Sequence, residues 1–179
     1  WQTVWLEPVA SAYLDRVHMT PNIDDLALKL EYRVAHAEIG QELEIGIRYH
    51  GRLLTHETLW VQTVPYRAAC VITLPELHVW SPEQPNLYDI TFRLKDGDRV
   101  LDEVESYFGM RKVSTEGGHF LLNNEPYYQK LVLDQGYFPE SLLAAPSDEA
   151  LRQDIELTKA MGFNGVRKHQ KVEDPRYLY

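Results

Sequence analysis

Hydrophobic and polar residues alternate with a period of two from residue 3 to about residue 113. The clearest alternation covers residues 26–34, and residues 43–49 and 88–94 repeat it. Because successive side chains of a β-strand point to opposite faces, each run predicts a strand with one face on a core and the other in water. Further extended runs occupy residues 13–19, 53–61 and 69–74.

Glycine-containing pairs separate some of these runs and predict tight turns. His50-Gly51 and Asp96-Gly97 stand where hairpins need positive φ angles, which glycine tolerates and aspartate accepts more readily than most residues. About seven short strands with no helix between them are typical of a two-sheet sandwich. We therefore predict a mainly β fold, with an immunoglobulin-like antiparallel β-sandwich over residues 9–113.

The pattern changes after Gly117-Gly118. Residues 119–122 and 126–133 are extended runs on either side of Asn123-Asn124, a pair suited to a tight turn. The second run is apolar at most positions on both faces, as in a strand of a covered parallel sheet. We therefore predict a new kind of structure here rather than a continuation of the sandwich.

A helix and a further strand follow this run. Ser147 is a good N-cap, and Gly162 is a good residue just beyond the helix end. Residues 163–167 predict the next strand, so that strand, helix and strand form one right-handed parallel βαβ unit. The apolar stripe of the helix is predicted to contain Leu151, Ile155, Thr158 and, at its end, Met161.

Composition excludes several classes of function. The net charge of −9 gives no long-range attraction to nucleic acid or anionic lipid, so neither is an expected partner. No apolar run approaches the ~20 residues of a membrane span. Cys70 lies in an apolar alternating stretch and is expected to be a core side chain, and the histidines lack metal-site spacing, so we expect no metal and no cofactor.

Both ends of the sequence look cut. Residues 1–7 begin directly with an alternating strand pattern, and Asp174-Pro175 begins a helix that has only four further residues. We therefore expect a piece of a longer protein. The compartment is left unassigned, with the cytoplasm favoured.

Four short stretches, taken in order, carry a resemblance to a known family. Residues 80–88 read Trp-Ser-Pro-Glu-Gln-Pro-Asn-Leu-Tyr, and residues 108–112 read Phe-Gly-Met-Arg-Lys. Leu-Asn-Asn-Glu-Pro occupies residues 122–126, and Gly-Phe-Asn-Gly-Val-Arg occupies residues 162–167. In this order and spacing they resemble family 2 glycoside hydrolases, the group of β-galactosidases, β-glucuronidases and β-mannosidases.

The resemblance implies a domain order. Residues 1–8 would be the last strand of a preceding sugar-binding domain, residues 9–113 the sandwich, and residues 114–179 the N-terminal portion of a truncated TIM barrel. The parent enzyme would be a retaining hydrolase of O-glycosidic bonds in carbohydrate metabolism, with its acid/base in an Asn-Glu dipeptide on the fourth barrel strand and a glutamate nucleophile on the seventh.

The catalytic carboxyl groups are not expected in this fragment. Residues 126–179 are only a small part of the ~250 residues of a complete barrel, so neither of those strands is present. The Asn124-Glu125 dipeptide lies in the entry turn at the opposite end of the barrel from the chemistry, and we reject it as catalytic. We expect the fragment alone to be inactive.

Substrate contacts of the intact enzyme are expected just after the two barrel strands, because barrel active sites form where strands end. Arg167 matches an arginine that, by the resemblance, lies near the catalytic carboxylates and would keep them ionised. By the resemblance, the β-galactosidases carry histidines at the positions of Gln135 and Gln170. Because glutamine cannot titrate or carry a positive charge, the substrate of the β-galactosidases cannot be assumed for this protein. The candidate substrate-binding residues are Asp134, Gln135, Arg167, His169 and Gln170.

Carbohydrate is therefore the expected partner of the intact enzyme, and homo-oligomerisation is left open. A different class of function, a non-catalytic β-sandwich module that binds carbohydrate or protein, is the alternative. A third interpretation, compatible with the first, is a spacer that sets the distance between a sugar-binding domain and a barrel.

Overall fold

The computed structural model describes residue 4 and residues 6–178. The chain folds into two compact units: Glu7–Pro126 is one, and Tyr127–Tyr179 belongs to the other. Residues 1–3 and 5 of the strand expected over residues 1–8 lie outside the described residues. The helices of the described part are too short and too polar to cross a bilayer.

The first unit is an antiparallel sandwich of seven strands, followed by one small sheet. A three-stranded sheet has the order β1-β2-β5, and a four-stranded sheet has the order β4-β3-β6-β7. The mainly β class and the sandwich are therefore confirmed. The seven strands are β1 (Tyr13–Asn22), β2 (Ala27–Ala35), β3 (Glu42–Tyr49), β4 (Arg52–Trp60), β5 (Tyr66–Thr73), β6 (Tyr88–Asp96) and β7 (Arg99–Phe108).

Alternate residues of the central strands form the core. In β2 the residues Leu28 and Leu30 are fully buried, whereas Lys29 between them is exposed. In β3 and β6 the same rule buries Ile45 and Phe92. Each such side chain stabilises the fold by ~1.5–3 kcal/mol relative to exposure, so the period-two pattern is the main source of sandwich stability. Cys70 is only half-buried against this core.

The hairpin between β3 and β4 has the turn that the sequence predicts. His50 and Gly51 have φ angles of 48° and 77°, and Tyr49 pairs with Arg52 on either side of them. Two consecutive positive φ angles define the turn type whose twist matches a two-residue hairpin. Glycine meets this requirement without steric cost, and histidine accepts it only because the flanking ladder holds it.

The segment before β6 is a turn tied to the core by Tyr88. Its hydroxyl accepts a hydrogen bond from the His78 amide at 2.7 Å and donates to the Glu76 carbonyl at 3.3 Å. Trp80 donates its backbone N–H to the Met110 carbonyl at 2.9 Å, beside the end of β7. The aromatic residues of 80–88 therefore have a structural role, as their apolar bulk suggests.

Asn123 joins the family-like stretches at residues 80–88 and 108–112. Its side-chain nitrogen donates to the Trp80 carbonyl at 2.9 Å, and its side-chain oxygen accepts from the Lys112 amide at 3.0 Å. Gly109 lies so close to Trp80 that an added Cβ would be 3.1 Å from Trp80 Cβ. The motifs at residues 80–88, 108–112 and 122–126 are thus one interlocked structure within the sandwich unit.

A small antiparallel sheet in the order β8-β9-β10 completes this unit. Its strands are β8 (Val113–Glu116), β9 (His119–Leu122) and β10 (Glu125–Pro126). Asn123 and Asn124 form the predicted turn, with φ angles of 53° and 69°. The Asn124 side chain also donates to Asp24 at 2.8 Å, which gives the Asn124-Glu125 dipeptide a structural explanation.

The second unit is the predicted βαβ unit. It contains β11 (Leu131–Asp134), α1 (Asp148–Ala160), β12 (Gly165–Lys168) and α2 (Pro175–Leu178), and β11 and β12 are parallel. Ser147 caps α1 by accepting from the Ala150 amide at 3.2 Å, and Gly162 has a φ of 85° just after the C-cap. The predicted helix start and end are therefore confirmed.

Two details of this unit differ from the prediction. The strands expected over residues 126–133 and 163–167 are confined to Leu131–Asp134 and Gly165–Lys168, because the parallel ladder between them begins only at Leu131 and Gly165. The apolar stripe of α1 is reduced to Leu151, while Ile155 is 36% and Met161 is 64% exposed. A sheet of two strands is too narrow to cover more of the helix.

Candidate functional site

The carboxyl ends of β11 and β12 lie side by side, which brings the predicted site residues to one edge. Asp134 pairs with Lys168, and Leu133 pairs with Arg167, in a parallel register. Because side chains alternate along a strand, Asp134 and Lys168 share one face of this small sheet, and Leu133 and Arg167 share the other. The candidate residues are therefore divided between two faces.

Asn164 fixes the alignment of the two strands. Its side-chain oxygen accepts from the Lys130 amide at 2.7 Å, and its side-chain nitrogen donates to the Tyr128 carbonyl at 2.8 Å. The Asn164 amide also donates to the Lys130 carbonyl at 3.0 Å. One asparagine thus replaces the ladder that β11 lacks before Leu131, and the motif at residues 162–167 acquires a physical explanation.

The Asp134 carboxylate is fully engaged by this unit. One of its oxygens accepts from the Gly136 amide at 2.6 Å, and the other is paired with the Lys168 ammonium. Gly136 has a φ of 62°, and an added Cβ there would come within 2.8 Å of Glu173 Oε1. The turn after β11 therefore requires glycine, and Asp134 holds that turn rather than projecting freely.

Asp134 belongs to an ion cluster with Lys168, Lys171 and Glu173. Lys168 Nζ is 2.6 Å from one Glu173 carboxylate oxygen, although the angles are not those of a hydrogen bond, and Lys171 Nζ is 3.4 Å from the other. The Glu173 side chain is only 5% exposed, and Lys168 and Lys171 are the cations beside it. Lys171 also donates to the Gly136 carbonyl at 3.0 Å.

The pKa values of Asp134, of Lys168 and of the neighbouring Asp154 are shifted in this unit. Burial opposes the charged form of Asp134, but hydrogen bonds from Lys168 and the Gly136 amide outweigh it and lower the pKa of this carboxyl. Burial likewise opposes the charged form of Lys168, but Asp134 and Glu173 raise its pKa above the ordinary lysine value. The pKa of Asp154 is raised, first by burial and then by the negative charge of Asp134.

Gln135 and His169 meet across the strand ends. Gln135 Nε2 lies 2.9 Å from His169 Nδ1, and the His169 amide donates to the Asp134 carbonyl at 3.0 Å. An amide N–H donated to Nδ1 requires that ring nitrogen to be unprotonated, which leaves Nε2 as the site for the proton of a neutral ring. The pair thus presents an oriented imidazole.

Arg167 and Gln170 have exposed side chains. Arg167 makes no ion pair with any residue in the described ranges, and it shares its sheet face with Leu133, which is 58% exposed. Gln170 has a φ of 58°, an uncommon conformation for a non-glycine residue, at the turn after β12. The structure thus brings Gln135 to His169, but it does not bring Arg167 to Asp134.

Sequence reasoning missed Lys171 and Glu173. Both lie in an irregular segment between β12 and α2, and neither belongs to a motif or a periodic pattern. Only the folded structure brings Lys171 to Gly136 and Glu173 to Lys168. Gly136, two residues after the acidic last residue of β11, was the only signal that could have drawn attention to the turn.

The described residues contain no group of three or more His, Cys, Asp or Glu side chains that could hold a metal ion. Asp134 and His169, the side chains best suited to metal ligation at this edge, are engaged by Lys168 and Gln135. The contacts described at this edge are hydrogen bonds and ion pairs.

The sandwich strands match a known protein family. The model of the glycosyl hydrolases family 2 matches residues 12–111, more than half of the chain. The chain belongs to this family. The match covers strands β1 to β7 and ends within the 108–112 stretch that Asn123 holds.

Individual relatives support the assignment to family 2. A β-galactosidase from Vibrio vulnificus is 31% identical over 131 residues, which is 73% of this chain and 12% of that protein. A solved family 2 β-galacturonidase from Eisenbergiella tayi, bound to galacturonate, superposes with a TM-score of 0.76 at 26% identity over 95% of this chain and 31% of its own. A solved family 2 member from Bacteroides cellulosilyticus has the same fold, with a TM-score of 0.84 at 20% identity, over 95% of this chain and 24% of its own.

This family 2 chain spans only 12–17% of the length of the first curated relatives that it matches. Most of the residues of those relatives therefore have no counterpart in it.

Proposed function

We propose that this chain is the central sandwich and the barrel start of a retaining glycoside hydrolase that cleaves O-glycosidic bonds. The observation that carries the proposal is the family 2 match over residues 12–111, followed by the parallel β11-α1-β12 unit. In this assignment residues 9–113 are the sandwich, residues 114–179 begin a TIM barrel, and residues 1–8 end a preceding sugar-binding domain. The 179-residue chain by itself is then inactive.

The strand ends would contribute substrate-binding groups to the intact enzyme. In a (β/α) barrel the carboxyl ends of the strands surround the substrate, so Arg167, His169 and Gln135 would stand at its rim. The exposed guanidinium of Arg167 is free to approach the catalytic carboxylates, where its charge would keep them ionised. Asp134, in contrast, would position the turn and would contact substrate only indirectly.

Retention requires two carboxyl groups ~5–5.5 Å apart, one to protonate the leaving oxygen and one to attack the anomeric carbon. The family resemblance assigns these groups to barrel strands other than β11 and β12. The role of the present residues is therefore to bind and orient the sugar. The His169 ring, held at Nδ1 by Gln135, leaves Nε2 for a hydrogen bond with a sugar hydroxyl.

Activity assays on the chain and on the full-length product of its gene test this proposal. Nitrophenyl galactoside, glucuronide, galacturonide and mannoside should show hydrolysis of at least one substrate by the full-length protein and of none by the 179-residue chain. Hydrolysis by the 179-residue chain would contradict the conclusion that this chain lacks the catalytic carboxyl groups.

Arg167→Gln in the full-length protein tests the site itself. We expect kcat/KM to fall by about 100-fold or more, the usual effect of removing a preorganised charged group from a reaction centre. Arg152→Gln is the matched control, because Arg152 is a 71% exposed residue on α1 and should leave activity unchanged. Equal activity of the two variants would contradict the placement of Arg167 at the substrate.

A further inference from the structure

Three arginines form a row across the three-stranded sheet of the sandwich. Arg16 in β1 pairs directly with Arg33 in β2, and Arg33 pairs directly with Arg67 in β5. All three are exposed, whereas Tyr32 and Val34, on either side of Arg33, are buried. These residues, named here the arginine row, therefore project from one outer face in a line about 10 Å long, two strand spacings.

The row lacks the carboxylates that would balance it. Arg33 is paired with Asp15 at the β1 bulge. Within the described part of the chain, the side chains of Arg16 and Arg67 make no ion pair and no hydrogen bond. Like charges placed directly opposite each other on neighbouring strands are destabilising. In a chain of net charge −9, with 27 acidic residues, such a row is not explained by a general excess of basic residues.

The outer face of the four-stranded sheet shows the opposite arrangement. There Glu44 pairs with Arg93, and Arg93 pairs with Glu103, so the cross-strand row alternates in sign. Arg93 Nε is 2.7 Å from the Glu103 carboxylate, and Lys95 reaches Glu44 at 2.9 Å. The same fold thus neutralises one outer face internally and leaves the other with unmatched cations.

Two shallow depressions accompany the arginine row. The first, of about 530 Å³, is lined by all three arginines together with His18, Ala69 and one carboxylate, that of Glu31. The second, of about 490 Å³, shares Arg33 and Arg67 with the first and continues past Val64. Each volume falls in the range of small-molecule sites, and the shared arginines join them into one elongated groove.

We propose that the arginine row binds a negatively charged saccharide through its carboxylate or sulfate groups. Each guanidinium presents paired N–H donors that match such an oxyanion in a bidentate manner. Cations repeated at one strand spacing fit a chain that carries an anionic group on successive sugar units. The choice of a saccharide, rather than an acidic protein, rests on the proposed function, whereas the requirement for an anion rests on the row alone.

This site is separate from the substrate-binding residues of the βαβ unit, because it lies on β1, β2 and β5. It would hold an acidic glycan without reacting with it. The adjacent cross-strand row consists of His18, Glu31 and Ala69. Ala69 has a small side chain, which leaves room for a sugar ring next to the arginines.

Isothermal titration of the 179-residue chain with tetragalacturonate tests the proposal. The fully methyl-esterified tetragalacturonate is the matched uncharged probe, a κ-carrageenan tetrasaccharide supplies sulfate in place of carboxylate, and poly-glutamate represents an acidic protein. We expect binding of an acidic saccharide, loss of binding with the ester, and weakening as NaCl rises from about 50 to about 300 mM. Tighter binding of poly-glutamate than of either acidic saccharide would overturn the saccharide assignment.

The Arg16→Gln/Arg67→Gln variant should bind at least about ten-fold more weakly, since two charge-assisted contacts are removed. The Arg93→Gln/Arg99→Gln variant changes the net charge equally on the other sheet and should bind as the parent chain does. The thermal midpoint of the arginine-row variant should be unchanged or higher, which a merely structural row would not allow. Equal binding by both variants, or no binding at millimolar ligand, overturns the inference, and neither result affects hydrolysis by the full-length protein.

Discussion

The sandwich and the βαβ unit are held together by different forces. Alternate residues of seven strands meet in one cluster of buried apolar side chains, in which residues such as Leu30, Ile45 and Phe92 are almost completely excluded from water. In the described part of the second unit, only Phe138 and Leu151 are buried apolar side chains. Leu131, Leu133 and Leu157 remain 41–58% exposed there.

The second unit compensates with polar contacts. Asn164 joins its strands, and the ion cluster joins the turn after β11 to the segment after β12. Such contacts fix geometry well, but each stabilises a fold less than a comparable apolar burial, since desolvation offsets much of the attraction. We therefore expect the sandwich to be the more stable part of the chain and the βαβ unit to be the less stable part.

The largest effect should come from the sandwich core. Phe92→Ala is expected to destabilise the sandwich by ~3–5 kcal/mol, because a large buried side chain is lost and a cavity remains. Urea unfolding, followed by hydrogen exchange of amides in β3 and β6, measures this. Leu133→Ala is the control, since that leucine is 58% exposed and should change stability by less than ~0.5 kcal/mol. Similar losses of unfolding free energy in the two variants would contradict the difference in apolar burial between the sandwich and the βαβ unit.

Leu151→Ala should have the next largest effect. Leu151 is the buried residue of α1, at 3% exposure, and its truncation should cost the βαβ unit ~2–3 kcal/mol. Amide exchange in α1 should accelerate while exchange in β2 is unaffected, because the units have separate cores. Ile155→Ala, at the half-exposed position next in the predicted stripe, should cost ~1 kcal/mol or less. If Ile155→Ala costs more stability than Leu151→Ala, Ile155 is buried in solution, as the predicted apolar stripe of the helix requires.

Glu173→Gln should destabilise the βαβ unit by ~1–3 kcal/mol, because it leaves Lys168 and Lys171 without their shared buried carboxylate. Exchange of the amides of His169 and Gly136 reports the loss locally. Glu156→Gln is the control, since Glu156 is exposed on α1. If the two variants unfold at the same urea concentration, the ion cluster does not stabilise the turn.

The pH dependence of the βαβ unit follows from Asp134 and Lys168. The folded pKa of Asp134 lies below 3.8, so its stabilising contribution is present above pH 3.8 and is lost as the pH falls through that lower folded value. The folded pKa of Lys168 lies above 10.5, so its contribution is present below pH 10.5 and is lost as the pH rises through the higher folded value. Asp134→Asn should flatten the acid limb of the unfolding free energy, and an unchanged acid limb would contradict this assignment.

The smallest effect should come from Asp154→Asn. The pKa of Asp154 is raised above 3.8 in the folded chain, so at neutral pH its ionised form is less favourable in the folded chain than in the unfolded chain. A neutral amide should therefore raise stability by a few tenths of a kcal/mol. The gain should vanish below pH 3.8, where the carboxyl is protonated in both states. Urea midpoints at neutral and at acidic pH measure this, and destabilisation at neutral pH would show that Asp154 has a favourable partner.

Most of the sandwich could be predicted because each strand carries its own pattern. The rows at residues 26–34, 43–49 and 88–94 match β2, β3 and β6, and the His50-Gly51 turn has the positive φ angles that the residue types suggest. The helix α1 begins after Ser147 and ends before Gly162 for the same local reasons. The exact start of β11 could not be predicted, because it depends on where β12 offers a partner.

The candidate site was predictable only as a location. Strand ends were predicted at residues 133 and 167, one residue before the observed ends, and the contact between Gln135 and His169 follows from their common edge. The engagement of Asp134 by Lys168 and the return of Glu173 could not be foreseen, because they depend on side-chain directions and on an irregular segment. The roles of Arg167 and Gln170 toward substrate stay predictions.

The sequence by itself determined the period-two strands, the caps of α1, the tight turns and, through four short motifs, the family. These features are local, since each depends on residues within a few positions of one another. Only the tertiary structure decided that Asn123 ties three motifs together, that Glu173 closes the ion cluster, and that three arginines stand in one row. Cross-strand register and the return of distant segments set these contacts, and neither is encoded in the spacing of residues along a single strand or helix.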